Sequence, residues 1–124
     1  MGRSSAKPST HDARRALYED ALEVLRAEHR RPLTLEEVAR RIATSPRQLQ
    51  RALEEVGAPP FLECLTTVRM ERAAKLMRET DWPVVEVAAA VGYKRHSAFT
   101  KAFRRHHGVT PSTMRQQPGR QGFV

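Results

Sequence analysis

The chain of 124 residues holds a single cysteine, Cys64, which rules out an internal disulfide and a cysteine-based zinc site. No apolar run approaches the ~18–20 residues of a membrane span. The opening segment, MGRSSAKPST, has no apolar stretch behind its basic residues and does not read as a secretory signal, so a cytoplasmic location without membrane contact is expected. Alternating β-branched runs, the mark of half-buried strands, are missing. So are H-E-x-x-H, a glycine-rich phosphate loop and a nucleophile elbow. Without them, His96, His106 and His107 have no framework that would join them to Glu63, Glu71 or Glu86 as a metal or acid–base cluster. No enzyme, metal or cofactor is expected. Finally, no acidic residue follows Glu86.

That last shortage locates the charge. The formal net charge is +8. Residues 1–57 hold 11 Lys and Arg against 9 Asp and Glu, whereas residues 58–124 hold 11 against 5. A basic surplus on one part of a chain favours a polyanion, through phosphate neutralisation and counterion release. The alternative is a solvated basic surface with no partner.

What is present is helical. Leu17, Ala21, Val24 and Leu25 recur at helical spacing within a helix from Thr10 or His11 to His29, ended by Arg31-Pro32 because the residue before proline is pushed out of the helical region. Thr34 with Glu37 three residues on is a capping-box signature for a helix over Leu35 to Ala43. Ser45-Pro46 starts the next helix, with Leu49, Leu53 and Val56 inward and Arg47, Gln48, Gln50 and Arg51 outward, and Gly57 stops it. Pro59-Pro60 starts a longer helix to about Glu79, with Phe61, Leu62, Leu65, Val68, Ala73, Leu76 and Met77 as its apolar positions. Trp82 and Phe61 are expected in the core, Cys64 as a buried inert thiol, and Arg69 and Arg72 in packing and local salt bridges. Val84 to Val91 forms a short helix. After a turn at Gly92, a second helix runs from Arg95 or His96 to about His107, with Phe99 and Phe103 inward and Arg95, His96, Ser97, Thr100, Lys101, Arg104 and Arg105 outward. Thr110-Pro111 starts a last short helix ending near Gln117.

One motif occurs twice. Leu35, Val38, Ala39 and Ile42 recur 49 residues later as Val84, Val87, Ala88 and Val91, and Leu49 and Leu53 recur 50 later as Phe99 and Phe103. A short helix, a tight turn and a basic helix form the layout of a helix-turn-helix DNA reader. The expected fold is all-α, with about seven helices in two helix-turn-helix subdomains, 11–57 and 82–117, joined by a linker helix over 58–81. Residues 1–10 and 118–124 read as tails. A linker of about 21 residues is a rod of roughly 31 Å, close to the 34–36 Å of one duplex turn. Two unlike readers that far apart on one side of the rod would suit successive major grooves and an asymmetric site, with one monomer on the DNA.

LTLEEVARRIATSPRQLQRAL, the G-x-x-P-F of Gly57 to Phe61, VRMERAAKLM, and above all VVEVAAAVGYKRHSAFTKAFRRHHGVTPSTMR closely resemble the DNA-binding domain of the AraC/XylS family of bacterial transcription regulators. The specific features are G-[FY] before the second reading helix, F-x-x-x-F within it, and then G-x-T-P-x-x-x-R. The resemblance covers about Arg31 to Arg115. It departs at Leu53, where an aromatic is common, at Met114, where Tyr is usual, and at Ala43, which replaces a frequent turn glycine. The resemblance implies sequence-specific promoter binding and activation or repression of transcription, with double-stranded DNA as partner and RNA polymerase as a further one. Many members carry a separate sensor domain, so this chain is either a stand-alone member or a piece of a longer regulator.

Carried onto this sequence, the family pattern makes Arg47, Gln50 and Arg51 base readers, with Gln48 near the backbone. Arg matches guanine O6 and N7, and Gln matches adenine N6 and N7. The corresponding face of the second reader is His96, Ser97, Thr100 and Lys101, with Arg95 at its start. Lys101 discriminates less than an arginine, being a point charge rather than a fork. Arg104 and Arg105 either bind phosphate or face solvent. Amides near Ser45 and Thr110 are further phosphate candidates. Two rival readings remain: a protein-interaction module using the first helix and the acidic side of the next two, formed by Glu36, Glu37, Glu54 and Glu55, and a non-specific architectural DNA binder.

Overall fold

A computed structural model describes residues 10–117, and the expected tails, Thr10 apart, lie outside the described residues. Among the described residues seven helices follow one another: α1 (Thr10–Glu28), α2 (Leu35–Arg41), α3 (Pro46–Glu55), α4 (Phe61–Glu79), α5 (Val84–Ala90), α6 (His96–His107) and α7 (Pro111–Gln116). Among the described residues there is no strand, and no helix is long and apolar enough to cross a membrane. The expected all-α architecture is thus observed. The helix starts follow from local chemistry. The side chains of Thr34, Ser45 and Thr110 accept hydrogen bonds from the amides of Glu37, Gln48 and Thr113, each at 3.1 Å, which satisfies donors that the first turn leaves free.

The chain divides into two compact units. One comprises residues 10–27 and Leu33–Cys64, and the other Glu28–Pro32 and residues 65–117. In the first, Ala21 and Leu25 of α1, Val38 and Ala39 of α2, Leu49, Ala52 and Leu53 of α3, and Phe61 are buried. In the second, Met70, Ala73 and Met77 of α4 form one cluster with Val87, Val91, Phe99, Phe103 and Met114.

Both motifs reverse direction by the same backbone arrangement. Thr44 N–H donates to Ala39 O and Ala43 N–H to Arg40 O, and 49 residues later Tyr93 N–H donates to Ala88 O and Gly92 N–H to Ala89 O, at 2.9 and 3.1 Å in both turns. This is a Schellman ending, whose residue after the cap is left-handed. That residue is Ala43 at φ 61° in the first motif and Gly92 at φ 96° in the second. Ala43 is the only non-glycine residue with positive φ among the described residues. Its methyl carries a left-handed penalty of about 1–2 kcal/mol. Gly92 has a second constraint, because a Cβ there would lie 2.9 Å from the Arg30 carbonyl oxygen and 3.0 Å from an Arg69 guanidinium nitrogen.

Three packing expectations are corrected. Trp82 is 44% exposed rather than core. It lies in the non-helical link after α4, where helical periodicity does not dictate its direction, and its amide donates to the Thr80 hydroxyl at 3.2 Å. Leu62 is 68% exposed, because the buried stripe at the start of α4 is Phe61, Cys64, Leu65 and Val68. Beyond Val68 the stripe changes phase to Met70, Ala73, Ala74 and Met77, which makes Met70 a core residue that a single stripe does not include. The helix also begins at Phe61, so its 19 residues span about 28 Å rather than 31 Å. Cys64 is buried as expected, with its thiol donating to the Pro59 carbonyl at 3.3 Å and its pKa pushed up by burial and then by Glu63.

The two turns respond oppositely to single-methyl changes. Ala43→Gly relieves left-handed strain and, after the extra unfolded-state freedom of glycine, stabilises by about 0.5–1 kcal/mol. Gly92→Ala adds strain and a backbone clash and destabilises by at least about 2 kcal/mol. Urea denaturation of the two variants measures both signs.

Candidate nucleic-acid interface

In the first unit, burial of one side of α3 decides what the other side presents. Leu49 and Ala52 are fully buried and Leu53 nearly so, which leaves Arg47, Gln48, Gln50 and Arg51 exposed. Arg47 and Arg51 stand one helical turn apart on the same face. Among the described residues neither has an ion-pair or hydrogen-bond partner, whereas Arg14 is paired with Glu55 in the same unit. Ser45 is occupied as the cap of Gln48, and Pro46 has no N–H. Arg47 therefore supplies the first-turn amide still without an acceptor among the described residues.

In the second unit, Phe99 and Phe103 are fully buried, with Tyr93 edge-on to Phe99 at 5.7 Å between ring centroids. Outward from them run two rows at one-turn spacing, His96, Thr100 and Arg104 beside Ser97, Lys101 and Arg105. With Thr110 they line an open groove of about 690 Å³. Thr100 and Thr110 are half-buried and the others exposed. Unlike α3, α6 starts without a side-chain cap. Arg95 occupies the cap position and makes no capping bond, which leaves the amides of His96, Ser97 and Ala98 without a side-chain acceptor at the positive end of the helix dipole. Thr110 is committed internally, accepting from the Thr113 amide and donating to the Thr113 hydroxyl at 2.8 Å.

Comparison with known proteins agrees with this geometry. A helix-turn-helix domain family matches residues 38–117. The chain is 31% identical over 98 residues to the HTH-type transcriptional regulator GlxA of Rhizobium meliloti, covering 79% of this chain and 30% of that protein. It is 36% identical over 84 residues to the ornithine utilization regulator of Pseudomonas aeruginosa, covering 68% and 24%. Among solved structures, the C-terminal domain of AraT, a response regulator from Geobacillus stearothermophilus, aligns with TM-score 0.73 and 33% identity over 91% of this chain and 88% of that one. The chain belongs to the AraC family of helix-turn-helix DNA-binding domains. The chain spans well under half the length of these curated relatives, 30% of GlxA and 24% of the ornithine utilization regulator.

In this AraC-type domain, some basic residues serve the fold rather than the interface. Arg69 donates from Nε to the His29 carbonyl at 2.7 Å and from a terminal nitrogen to the Arg31 carbonyl at 3.0 Å, and lies over the Tyr93 ring at 5.6 Å. Burial pulls its pKa down. Its partners are main-chain carbonyls rather than Glu71, a choice that side-chain spacing does not reveal. Arg115 likewise donates to the Met77 carbonyl at 3.2 Å.

Two histidines are also structural. His107 Nε2 is 2.9 Å from the Met70 carbonyl oxygen, an arrangement that requires the nitrogen to carry its proton and donate. Its pKa is lowered, chiefly by burial, against the raising effect of that hydrogen bond and with smaller lowering effects from His106 and Arg78. His29 is lowered by burial and then by Arg72 and Arg69, and its Nδ1 is buried with no hydrogen-bond partner among the described residues. Both imidazoles take up a proton more readily in the unfolded chain, near 6.5, than in the fold. The unfolded state therefore binds more protons as pH falls below that value, and stability declines with it. Unfolding free energy is expected to be flat above about pH 7 and to fall as pH drops through 6.5 and below. His107→Gln, which retains a donor for Met70, should flatten part of that slope in a pH series of urea melts.

Proposed function

We propose that this AraC-type domain reads an asymmetric promoter site as a monomer, placing α3 and α6 in successive major grooves of one duplex. The observation that supports this most is the repetition of one arrangement. At equivalent positions of a duplicated motif, a fully buried inner face turns outward a set of polar and cationic side chains that lack protein partners among the described residues.

The two faces differ in chemistry and hence in task. On α3, Arg47 and Arg51 are forks suited to guanine and Gln50 is suited to adenine, each good bidentate contact discriminating by about 1–3 kcal/mol. On α6, His96, Ser97, Thr100 and Lys101 meet base edges with less discrimination. Arg95, Arg104 and Arg105 and the uncapped amides of His96 and Ser97 take phosphate. The second motif therefore supplies more of the affinity and the first more of the selectivity. Gln48 meets the backbone beside α3. Ser45 and Thr110 act as caps that orient their first turns, leaving the amides of Arg47 and Ser112 as donors. Because the domain acts by binding, its output is regulation of transcription from the site it occupies.

Selection of bound sequences from a random DNA pool tests this reading directly. An asymmetric motif whose halves lie one duplex turn apart is expected, occupied by one chain. An inverted repeat bound by two chains would overturn it. On the selected site, Arg51→Ala should weaken binding by about 1–3 kcal/mol, with a smaller loss on random duplex. Arg105→Ala should weaken both alike and lower the salt slope by about 1. Titrations by fluorescence anisotropy at several salt concentrations separate the two behaviours, and an equal loss on both duplexes for Arg51→Ala would assign that residue to phosphate.

A further inference from the structure

In each unit a groove is lined by the outward side of the reading helix and by the start of the helix that follows it. The repeat allows the two grooves to be compared position by position. Offsets of 50 residues along the reading helix and 51 after the glycine that ends it, Gly57 or Gly108, match Thr100, Arg104 and Thr110 with Gln50, Glu54 and Pro59. The first three belong to one groove and the second three to the other.

The chemistry is reversed between them. Where the second unit has the Arg104 cation, the first has the Glu54 carboxylate. The hydroxyl of Thr110 is replaced by Pro59, which has no donor, and Ser112 and Thr113 are replaced by Phe61 and Leu62. A second carboxylate, Glu36, also lines the groove, where the second motif has Val85. Glu36 and Glu54 are exposed, and among the described residues neither has an ion-pair partner. The lining encloses about 540 Å³. Leu53 and Phe61 are buried in its wall, while Leu62 is 68% exposed.

The two carboxylates repel phosphate and the proline pair offers it no N–H, so away from Gln50 this groove is unsuited to the nucleic acid that its counterpart suits. An exposed leucine and proline surface beside unpaired carboxylates complements an apolar anchor flanked by cations. We propose that the groove formed by the end of α3 and the start of α4 is a docking site for a segment of a partner protein carrying an apolar side chain flanked by lysine or arginine. Gln50 belongs both to the reading face of α3 and to this lining, so the segment docks at the edge of the DNA-reading face.

The test uses a fluorescein-labelled amphipathic peptide with leucines on one helical face and lysines on the other, and a control with glutamate in place of every lysine. Saturable binding of the lysine peptide is expected, at least tenfold tighter than that of the control. Amide chemical-shift changes should be confined to Leu35–Glu36, the end of α3 and residues 58–62. The double substitution Glu36→Lys, Glu54→Lys should weaken the lysine peptide at least tenfold, and Leu62→Ser several-fold. All three positions are exposed, and unchanged thermal melts distinguish lost docking from lost folding. Equal binding of the two peptides, shifts elsewhere on the chain, or indifference to the charge reversals would overturn the proposal. Sedimentation of the chain alone provides a further check, since a dimer dissolved by Leu62→Ser would assign the groove to a second copy instead.

Discussion

The outward face of the second helix in each motif depends on how completely the opposite face of the same helix is buried. Leu49 and Phe99 occupy equivalent positions and have no exposed surface, and Phe103 repeats the constraint one turn on. A helix advances about 100° per residue, so a roll of one position would replace the outward side chains with another set. Apolar burial of a leucine or phenylalanine contributes about 1.5–3 kcal/mol. That is enough to hold the roll angle against the small differences among exposed polar side chains. The polar residues on the outside are positioned by residues that never reach the surface.

A shared arrangement also governs the turn before α3 and the turn before α6. Two pairs of backbone hydrogen bonds recur at equal lengths 49 residues apart, although one turn is built on alanine and the other on glycine. The backbone geometry is the same in both motifs although the surroundings differ. Around Gly92 the Arg30 carbonyl and the Arg69 guanidinium approach too closely for any side chain, so glycine is required there for space as well as for φ. Ala43 tolerates its left-handed conformation at a modest cost, which the rest of the first unit offsets.

Most of the fold was legible because its signals are local. Capping residues, prolines at first turns and the helical spacing of apolar residues place each helix end within about two residues of its observed position. The outward residues of α3 and α6 were legible for the same reason, since periodicity alone separates Arg47 and Arg51 from Leu49 and Leu53. What escaped was information held between segments distant in sequence. Met70 is buried because the stripe on α4 changes phase, and Trp82 is exposed because it lies in a link with no periodicity. The acceptors of Arg69 are carbonyls some forty residues away. The absent cap on α6 and the internal commitment of Thr110 needed coordinates as well.

Net charge is therefore a poor guide to an interface until its cations are sorted by whether the protein itself supplies an acceptor. Arg14, Arg69 and Arg115 have such acceptors, a carboxylate in the first case and main-chain carbonyls in the others. Arg47, Arg51, Lys101, Arg104 and Arg105 have none among the described residues. A guanidinium held by carbonyls has exchanged water for fixed dipoles and resists transfer to phosphate, whereas an exposed unpaired one loses only water and counterions on binding. The same sorting applied to the anions isolates Glu36 and Glu54 from Glu55, which Arg14 neutralises. An acidic, apolar surface thus persists at the margin of a basic domain. Phosphate attraction does not account for those two carboxylates, whereas the proposed cationic segment would.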